Sequence, residues 1–357
     1  MIQTDARIVS IGLDVAKASF EAALATPAQL PAQPLASKPY ARLFEGAAQL
    51  VQAVEAHPSM IELAQPLPRI VMEATGAYSR QLAEWLVALR PQWRVAVVNP
   101  RFIKAYAHSL GARNKTDRAD ARLIARYGLE RQPVWFEPLA PALKALRALS
   151  RERDALVAQI VQTKNRAGET PDAPDVVVSA QRAVFQALDK QRRRIEAAML
   201  ELLVSDPTWG PLLERLQSIP GVGKITAMVV LAELGDLRRF SRSRQLSAFA
   251  GTNPQIIESG SSLRRRTRMC KMGSSRVRQA LYLSAMAAIR TKRTNSLALT
   301  YKRLVAQGKP KLVALGAIMR KQLLLMRALM LNGTRFGDPV ACAKPVESLC
   351  RKAAICP

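Results

Sequence analysis

Four acidic residues lie where predicted strands or helices begin or end, which is where α/β proteins commonly build their sites. Asp14 follows the apolar run IVSIGL, and Glu73 closes the β-branched part of RIVMEAT. Asp117 and Asp120 are three residues apart in the basic stretch ARNKTDRADARLIARY (112–127). A helix would place both aspartates on one face and the arginines of the stretch on the other, so the arginines are not simply their ion-pair partners.

These four carboxylates predict a metal site, because four acids that met without a cation would repel one another. Mg²⁺ (or Mn²⁺) takes oxygen ligands and bridges substrate phosphates. Paired ions can stabilise both the attacking and the leaving oxygen in phosphoryl transfer. Taken singly, each acid has a structural alternative: a turn residue for Asp14, a strand-end surface acid for Glu73, and a charged surface helix for the aspartate pair. The joint pattern favours the metal site.

A second reactive group lies in the stretch NPQIIESGSSLRRRTRMCKMGSSRVRQ (253–279). Its serines are Ser259, Ser261 and Ser262, and arginines follow at 264, 265, 266 and 268. A hydroxyl beside bidentate phosphate binders is what an attack on a phosphodiester requires. The alternative is a flexible basic loop that only binds phosphate, and composition by itself favours that alternative.

Residue types used by other catalytic sites are scarce. The chain has two histidines, His57 and His108, so a Ser-His-Asp triad has little to draw on. Activation of a serine by a metal ion or a carboxylate fits better. The four cysteines, at 270, 342, 350 and 356, form no CxxC pair, which argues against a zinc site and is ordinary for cytosolic free thiols. The sequence also has no Walker-type nucleotide-binding motif.

The charge of the chain indicates a polyanionic partner. The formal net charge is +27, and residues 207–332 carry +19 of it, against +5 for residues 1–135. DNA or RNA is the expected partner, with a membrane surface as the weaker alternative. Aromatic residues make up 5%, which argues against base stacking as the main binding mode.

No membrane or secretion signal is evident. The apolar stretch 311–331 is interrupted by Arg320, Lys321 and Arg327, so it predicts a buried helix rather than a membrane span. The first residues lack the pattern of a signal peptide. We therefore expect a cytoplasmic, nucleoid-associated bacterial protein without a membrane partner.

Strands and helices alternate in the first third of the chain, which predicts an α/β layer fold. Residues 139–166 and 176–204 predict two long helices around the break AGETPDAPD, a pairing typical of a coiled-coil arm for self-association or spacing.

The stretch LLERLQSIPGVGKITAMVVLAEL (212–234) predicts two helices joined by a turn, as in a helix–hairpin–helix. Gly221 and Gly223 would let the backbone approach a phosphate, and Lys224 adds charge at the start of the second helix. The alternative is an ordinary turn between two helices.

Several motifs together carry a resemblance to a known family. They are, in order, IGLDVAK, VMEATGAY, VVNP, RNKTDRADARLIA, SIPGVGKITA, FAGTNP and ESGSSLRRRTRMCKMGSSRVRQALY. Over almost its whole length the sequence resembles the transposases of insertion-sequence family one-hundred-and-ten, relatives of the Piv-type DNA invertases.

The resemblance implies a fold and a division of the chain. We expect a RuvC-like, RNase H-like α/β domain at 1–135, a helical coiled-coil arm at 136–206 and a mainly α domain with the helix–hairpin–helix at 207–332. A poorly ordered tail is expected at 333–357.

The resemblance also implies the site. A DEDD tetrad falls on Asp14, Glu73, Asp117 and Asp120 and would hold Mg²⁺. The first serine of ESGSS, Ser259, would become linked to a DNA phosphate, with Ser261 and Ser262 as open alternatives. The expected partners are donor and target DNA, a structured guide RNA encoded by the element, and further copies of the chain in a dimer or tetramer.

The expected nucleic-acid contacts are Arg113, Lys115, Gly221, Gly223, Lys224, Arg264, Arg265, Arg266, Arg268, Lys271, Arg276 and Arg278. Three alternatives to transposition remain. They are a Piv-type site-specific invertase, a RuvC-like junction nuclease in which water attacks, and a nucleic-acid-binding protein with a degenerate acidic site. The presence of all four acids gives the last alternative no support.

Overall fold

The chain divides into two compact units, Met1–Pro138 and Leu139–Pro357. The structure is a computed structural model that describes residues 8–62, 67–111, 116–169, 172–255, 258–259, 263–264, 267–291 and 295–338 of the chain. The first unit is mixed α/β and the second is mainly helical, which confirms the coarse fold class expected from the sequence. The boundaries expected at residues 135, 206 and 332 stay predictions.

A mixed sheet forms the centre of the first unit. Its strands are β1 (Ser10–Val15), β2 (Ser19–Thr26), β3 (Gln29–Pro34), β4 (Tyr40–Ala41), β5 (Arg69–Glu73) and β6 (Arg94–Val98). The order is β3-β2-β1-β5-β6, and β4 pairs with β2 beside this path. Strand β1 pairs antiparallel with β2 and parallel with β5, and β5 pairs parallel with β6. The carboxyl ends of β1, β5 and β6 therefore lie at one edge of the sheet.

Helices cover both faces of this sheet. They are α1 (Phe44–Glu55), α2 (Pro58–Glu62), α3 (Ala77–Leu89), α4 (Pro100–Ser109) and α5 (Asp117–Glu130). On one face, Leu50 of α1 and Leu86 of α3 share a core with Ile11 of β1. On the other face, Ala125 of α5 packs with Ala23 of β2. The two cores are built from alternate residues of the same strands, as the pleat requires.

Small residues allow α5 to lie unusually close to β1. A Cβ at Gly12 would lie 2.1 Å from the Ala125 nitrogen and 2.2 Å from the Ala121 carbonyl oxygen. A Cβ at Gly128 would lie 2.3 Å from Ser10 Oγ. All three distances are far below a real contact, so the helix and the strand can meet only because these two residues lack side chains.

Gly12→Ala is therefore expected to destabilise the first unit by at least about 3 kcal/mol, at the upper end of overpacking effects, because backbone atoms on the opposite side cannot move aside. Thermal unfolding followed by circular dichroism measures this effect. Gly168→Ala is the matched control, because a Cβ there meets nothing within 4 Å. The control should leave stability unchanged or raise it by up to about 1 kcal/mol. An unchanged melting temperature for Gly12→Ala would mean that α5 does not lie this close to β1.

The second unit is mainly helical. Its helices are α6 (Pro141–Glu169), α7 (Asp175–Val204), α8 (Trp209–Gln217), α9 (Lys224–Leu234), α10 (Ser243–Ala250), α11 (Ser275–Arg290), α12 (Ser296–Ala306) and α13 (Lys311–Asn332), with a 3-10 turn at Leu237–Arg239. The described residues between α10 and α11 include four two-residue strands: β7 (Pro254–Gln255), β8 (Glu258–Ser259), β9 (Leu263–Arg264) and β10 (Arg268–Met269).

One apolar core joins most of these helices. Leu146 of α6 and Leu203 of α7 pack in it together with residues of α8, α9, α11 and α13. Helix α13 buries Ile318, Leu323 and Met326 in this core, as expected for a buried helix. No helix within the described ranges is long and apolar enough to cross a membrane.

Helices α6 and α7 run antiparallel. Arg153 Nε lies 2.7 Å from Glu196 Oε1, and the ammonium of Lys164 lies 5.1 Å from the centre of the Phe185 ring. Only the ends of the pair near α8 reach the core of the unit. From residue 161 to residue 198, no described residue of the two helices is buried.

The segment after α13 begins with ordered contacts. The Phe336 nitrogen donates to Ser218 Oγ at 2.8 Å, and Arg335 forms an ion pair with Glu214 at 2.8 Å. Residues 333–338 therefore pack beside α8. Residues 339–357, which hold most of the tail expected at 333–357, lie outside the described residues.

Candidate functional site

The pairing of β1 with β5 brings Asp14 and Glu73 to adjacent positions. The parallel register pairs Leu13 with Met72, so the next residues along the two strands are Asp14 and Glu73. Strand alternation directs both side chains to the face that α5 covers. Both residues are half-buried.

Helix α5 begins at this same end of the sheet. The helix runs antiparallel to β1, because Gly128 lies against Ser10 whereas Ala121 lies against Gly12, further along the strand. Continuing in that direction, the first turn of α5 lies beside Asp14. The close packing at the two glycines therefore fixes which residues of α5 approach the strand ends.

The first turn of α5 carries Asp117 and Asp120. Thr116 caps the helix, and its Oγ1 accepts a hydrogen bond from the Ala119 nitrogen at 3.2 Å. Carboxylates in the first turn also interact favourably with the positive end of the helix dipole. Asp117 is exposed and Asp120 is half-buried. The four acids predicted from the sequence thus share one face and one end of the sheet.

The side chains of these acids do not form a closed metal site among the described residues. Among the described residues, no three or more His, Cys, Asp and Glu side chains are gathered closely enough to hold a metal ion. The assignment of the tetrad as metal ligands stays a prediction.

A fifth acid, which the sequence analysis did not single out, lies beside Asp14. Glu21 of β2 stands directly opposite Asp14 in the antiparallel register, and its side chain therefore shares the same face. Arg118 of α5 approaches it, with Nε 3.6 Å from Glu21 Oε1. Arg118 also donates to the carbonyl oxygen of Ser37. The signal in the sequence was Glu21 itself, a charged residue at the start of the otherwise uncharged strand SFEAALAT.

Ser259 lies in a pair of short antiparallel ladders. Strand β7 pairs with β10, and further along the chain β8 pairs with β9, where Ser259 is opposite Leu263. Ser259 is therefore the last paired residue of β8 before residues 260–262. Ser261 and Ser262, the alternative nucleophiles, lie outside the described residues.

The residues that connect the short strands β7 and β10 to α10 and α11 pack closely against each other. The Cys270 nitrogen donates to the Asn253 carbonyl at 2.9 Å. A Cβ at Gly273 would lie 2.2 Å from the Phe249 carbonyl oxygen, so the two chain segments touch through their backbones. Arg278 adds a side-chain contact, donating to the Gly273 carbonyl at 2.6 Å. Partial burial lowers the pKa of the Arg278 guanidinium below its usual value.

The residues expected to contact nucleic acid differ in their exposure and in their contacts within the protein. Gly223, Lys224, Arg268 and Lys271 are exposed. Arg276 forms an ion pair with Asp154 at 2.8 Å. Gly221 has a φ of 82°, and a Cβ there would lie 2.2 Å from the Ser284 carbonyl oxygen, so this glycine packs against α11. The role of these residues in binding stays a prediction.

Four of the expected contacts, Arg113, Lys115, Arg265 and Arg266, lie outside the described residues. For Arg264 the structure describes the strand position alone.

Comparison with known proteins finds transposase profiles that match residues of both units. A DEDD transposase profile matches residues 11–170, and the profile described as Transposase IS116/IS110/IS902 family matches residues 213–301. The pilin gene-inverting protein of Moraxella lacunata is 28% identical over 327 residues, which cover 91% of this chain and 97% of that protein.

Two further relatives are similar. The pilin gene-inverting protein of Moraxella bovis is 30% identical over 268 residues, or 75% of this chain and 81% of that protein. The transposase for insertion sequence element IS1111A of Coxiella burnetii is 29% identical over 220 residues, or 54% and 58% of the two chains.

The matched ranges include the strand ends and helix start that carry the acids as well as the turn and strand region that carry the basic residues. A protein with both matches belongs to the class of transposases, which implies an activity that cleaves and rejoins DNA. The DEDD match also implies a RuvC-like fold for the first unit. The chain belongs to the IS116/IS110/IS902 family of transposases, and the pilin gene-inverting proteins are among its relatives. The resemblance inferred from the motifs is thereby confirmed.

Proposed function

We propose that the protein cuts and rejoins DNA through a serine–phosphate intermediate, with Ser259 as the nucleophile and a divalent cation held by the DEDD tetrad. The observation that carries this proposal is the direction of α5. Because the helix runs antiparallel to β1, its acid-bearing first turn lies at the end where Asp14 and Glu73 leave the sheet.

The donor set fits Mg²⁺ or Mn²⁺. Asp14, Glu73, Asp117 and Asp120 would supply carboxylate oxygens alone, which are the ligands that hard divalent cations prefer. Bound there, the cation would polarise the phosphodiester and offset the charge that develops on its oxygen atoms. Without a cation, four carboxylates at one end of a sheet would repel one another.

The proposed chemistry of the protein's own residues is a pair of exchanges at phosphorus. The Ser259 Oγ attacks the phosphorus of a DNA phosphodiester, a serine–phosphate bond forms, and a DNA hydroxyl leaves. The proton of the serine passes, by way of a base, to the DNA oxygen that leaves, so the exchange is balanced. A DNA hydroxyl then attacks the serine-linked phosphorus and restores the serine. The bond energy is conserved, so no nucleotide cofactor is needed. The chemistry requires the strand region of one copy to reach the acids of the same copy or of another.

A reconstituted recombination reaction tests this proposal. The purified protein, together with the nucleic acid that copurifies with it, is incubated with supercoiled plasmids that carry the element ends. Rejoined products are sequenced, and covalent adducts are trapped in detergent. Product formation that needs Mg²⁺ supports the proposal, whereas product formation in excess EDTA contradicts it.

We also propose that the turn between α8 and α9 is a helix–hairpin–helix that binds DNA phosphates. Gly223 and Lys224 are exposed at the start of α9, where backbone N–H groups point outward. A Cβ at Gly223 would meet nothing within 4 Å, so a phosphate has room to approach the backbone. Gly221, by contrast, packs against α11 and leaves no room for a phosphate.

Lys224→Ala is expected to weaken DNA binding about threefold to tenfold and to reduce the slope of log K against log salt by about 1, because one phosphate contact is lost. Fluorescence anisotropy over a salt series measures both quantities. Lys190→Ala, an exposed lysine of α7, is the control and should change neither. An unchanged salt slope for Lys224→Ala would exclude this turn from the interface.

We propose that the α6–α7 pair is a coiled-coil arm that joins copies of the chain into a dimer or tetramer. Its described middle section has no buried residue, and the apolar side chains of Val161, Val176 and Val184 are exposed there, where another copy could cover them.

A guide RNA and donor and target DNA are the proposed nucleic-acid partners. The charge of residues 207–332 supports backbone binding, while base pairing would read the sequence.

Site-specific inversion is the second candidate function. The pilin gene-inverting protein of Moraxella lacunata aligns with nearly the whole of this chain. Plasmids with two recombination sites in inverted orientation distinguish the two activities, because an invertase reverses the intervening segment, whereas a transposase inserts the element at a new position.

A further inference from the structure

Glu21 and Asp14 form a pair of like charges on the acidic face of the first unit. They stand directly opposite each other on β1 and β2, an arrangement that is unfavourable for two carboxylates. The Glu21 side chain is only 12% exposed, so water solvates its charge poorly. A carboxylate in such a position needs a cation or strong hydrogen-bond donors close by.

Arg118 supplies positive charge to Glu21 from the first turn of α5. Its Nε lies 3.6 Å from Glu21 Oε1, and a terminal nitrogen donates to the Ser37 carbonyl. Arg118 stands between Asp117 and Asp120 in the sequence. The same turn therefore presents two acids of the tetrad and the cation that faces the fifth acid.

A second arginine of α5 shows that this contact is not the usual pairing of a surface helix. Arg126 pairs with Glu130 four residues later, at 2.7 Å, and both side chains are substantially exposed. Pairs of that kind within a helix contribute little. Arg118 instead reaches from the helix to a largely buried acid on the sheet.

We propose that Arg118 is a positioning residue that keeps Glu21 out of the cation site. By pairing with Glu21, it would hold that carboxylate away from the cation, so that Asp14 is the one member of this cross-strand pair that acts as a ligand. The inference rests on the proposed function, because it presupposes a cation on the tetrad. It assigns to Glu21 and Arg118 a role that the tetrad motif does not contain.

Loss of the Arg118 charge would release Glu21 toward the cation. The site would then have five carboxylates and one fewer positive charge, so it should bind the cation more tightly. The coordination would also differ from the productive one, so cleavage should fall. Replacing Glu21 in the same chain should reverse both effects, which a purely structural role of Arg118 would not predict.

The experiment compares Mn²⁺ binding by isothermal titration calorimetry in the full-length protein. Arg118→Ala should tighten Mn²⁺ binding about fivefold while DNA cleavage falls about tenfold. Arg118→Gln, which keeps a donor for the Ser37 carbonyl but no charge, should do the same. Glu21→Gln alone, and Glu21→Gln combined with either change, should bind Mn²⁺ within about twofold of the unaltered protein.

Controls separate the possible outcomes. Arg126→Ala removes the same charge from the same helix and should leave Mn²⁺ binding unchanged. If Glu21→Gln weakens binding as strongly as Asp14→Asn, Glu21 is a ligand and the proposal is overturned. If neither Arg118 variant changes binding, the proposal is also overturned. If Asp14→Asn has no effect on Mn²⁺ binding, the proposed cation site itself fails.

Discussion

Ser259→Ala should abolish the covalent protein–DNA adduct and all rejoined product while leaving DNA affinity within about twofold, because it removes a single hydroxyl and no charge. The adduct is measured by denaturing electrophoresis of labelled DNA after a detergent quench, and the affinity by anisotropy. We expect the largest loss of function from this substitution.

Ser261→Ala and Ser262→Ala are the matched controls, since they remove the same group from the same segment. Both should retain the adduct. If Ser259→Ala retains the adduct and one of these variants loses it, the nucleophile is that neighbouring serine. Cleavage without any adduct in the unaltered protein would point instead to a junction nuclease that uses water.

Asp120→Asn should lower Mg²⁺-dependent strand transfer about a thousandfold or more, because it removes a charged oxygen ligand from the proposed cation site. Asparagine has nearly the same shape, so the first turn of α5 should remain folded. Strand transfer is measured as the rate of product formation over a Mg²⁺ titration, with circular dichroism as the check on folding.

Glu130→Gln is the control at the opposite end of the same helix. It removes one negative charge from α5 and breaks the exposed pair with Arg126, yet strand transfer should stay within about twofold of the unaltered rate. If both variants lost strand-transfer activity to the same extent, the negative charge of α5 as a whole, rather than Asp120 as a ligand, would account for the effect. Undiminished turnover of Asp120→Asn would exclude it from the cation site.

The sequence predicted the elements that carry the acids, because their signals are local. The apolar runs before Asp14 and Glu73 indicate buried strands, and the spacing of Asp117 and Asp120 is that of one face of a helix. Strand order has no such local signal. That Asp14 neighbours Glu73 follows from the parallel pairing of β1 with β5, which only the structure supplies.

Other features were missed for identifiable physical reasons. The prolines of QLPAQP argue against a strand, yet β3 forms because it lies at the edge of the sheet, where a missing N–H group is tolerated. Glu21 was overlooked because β2 buries alanines on both faces, which hides the alternation. Charge counting also cannot tell the partly buried Arg278, which donates to the Gly273 carbonyl, from an exposed arginine available to DNA.

The glycine contacts between α5 and β1 have a consequence for protein engineering. The close contacts at Gly12 and Gly128 fix the position of α5 along β1. The helix therefore cannot slide along the strand to accommodate a residue inserted into it. One alanine added between Asp120 and Ala121 would rotate the two aspartates by about 100° around the helix axis while the rest of α5 kept its seat. A designed length variant of this segment would therefore fold but lose its acidic site, whereas insertions in exposed loops should be harmless.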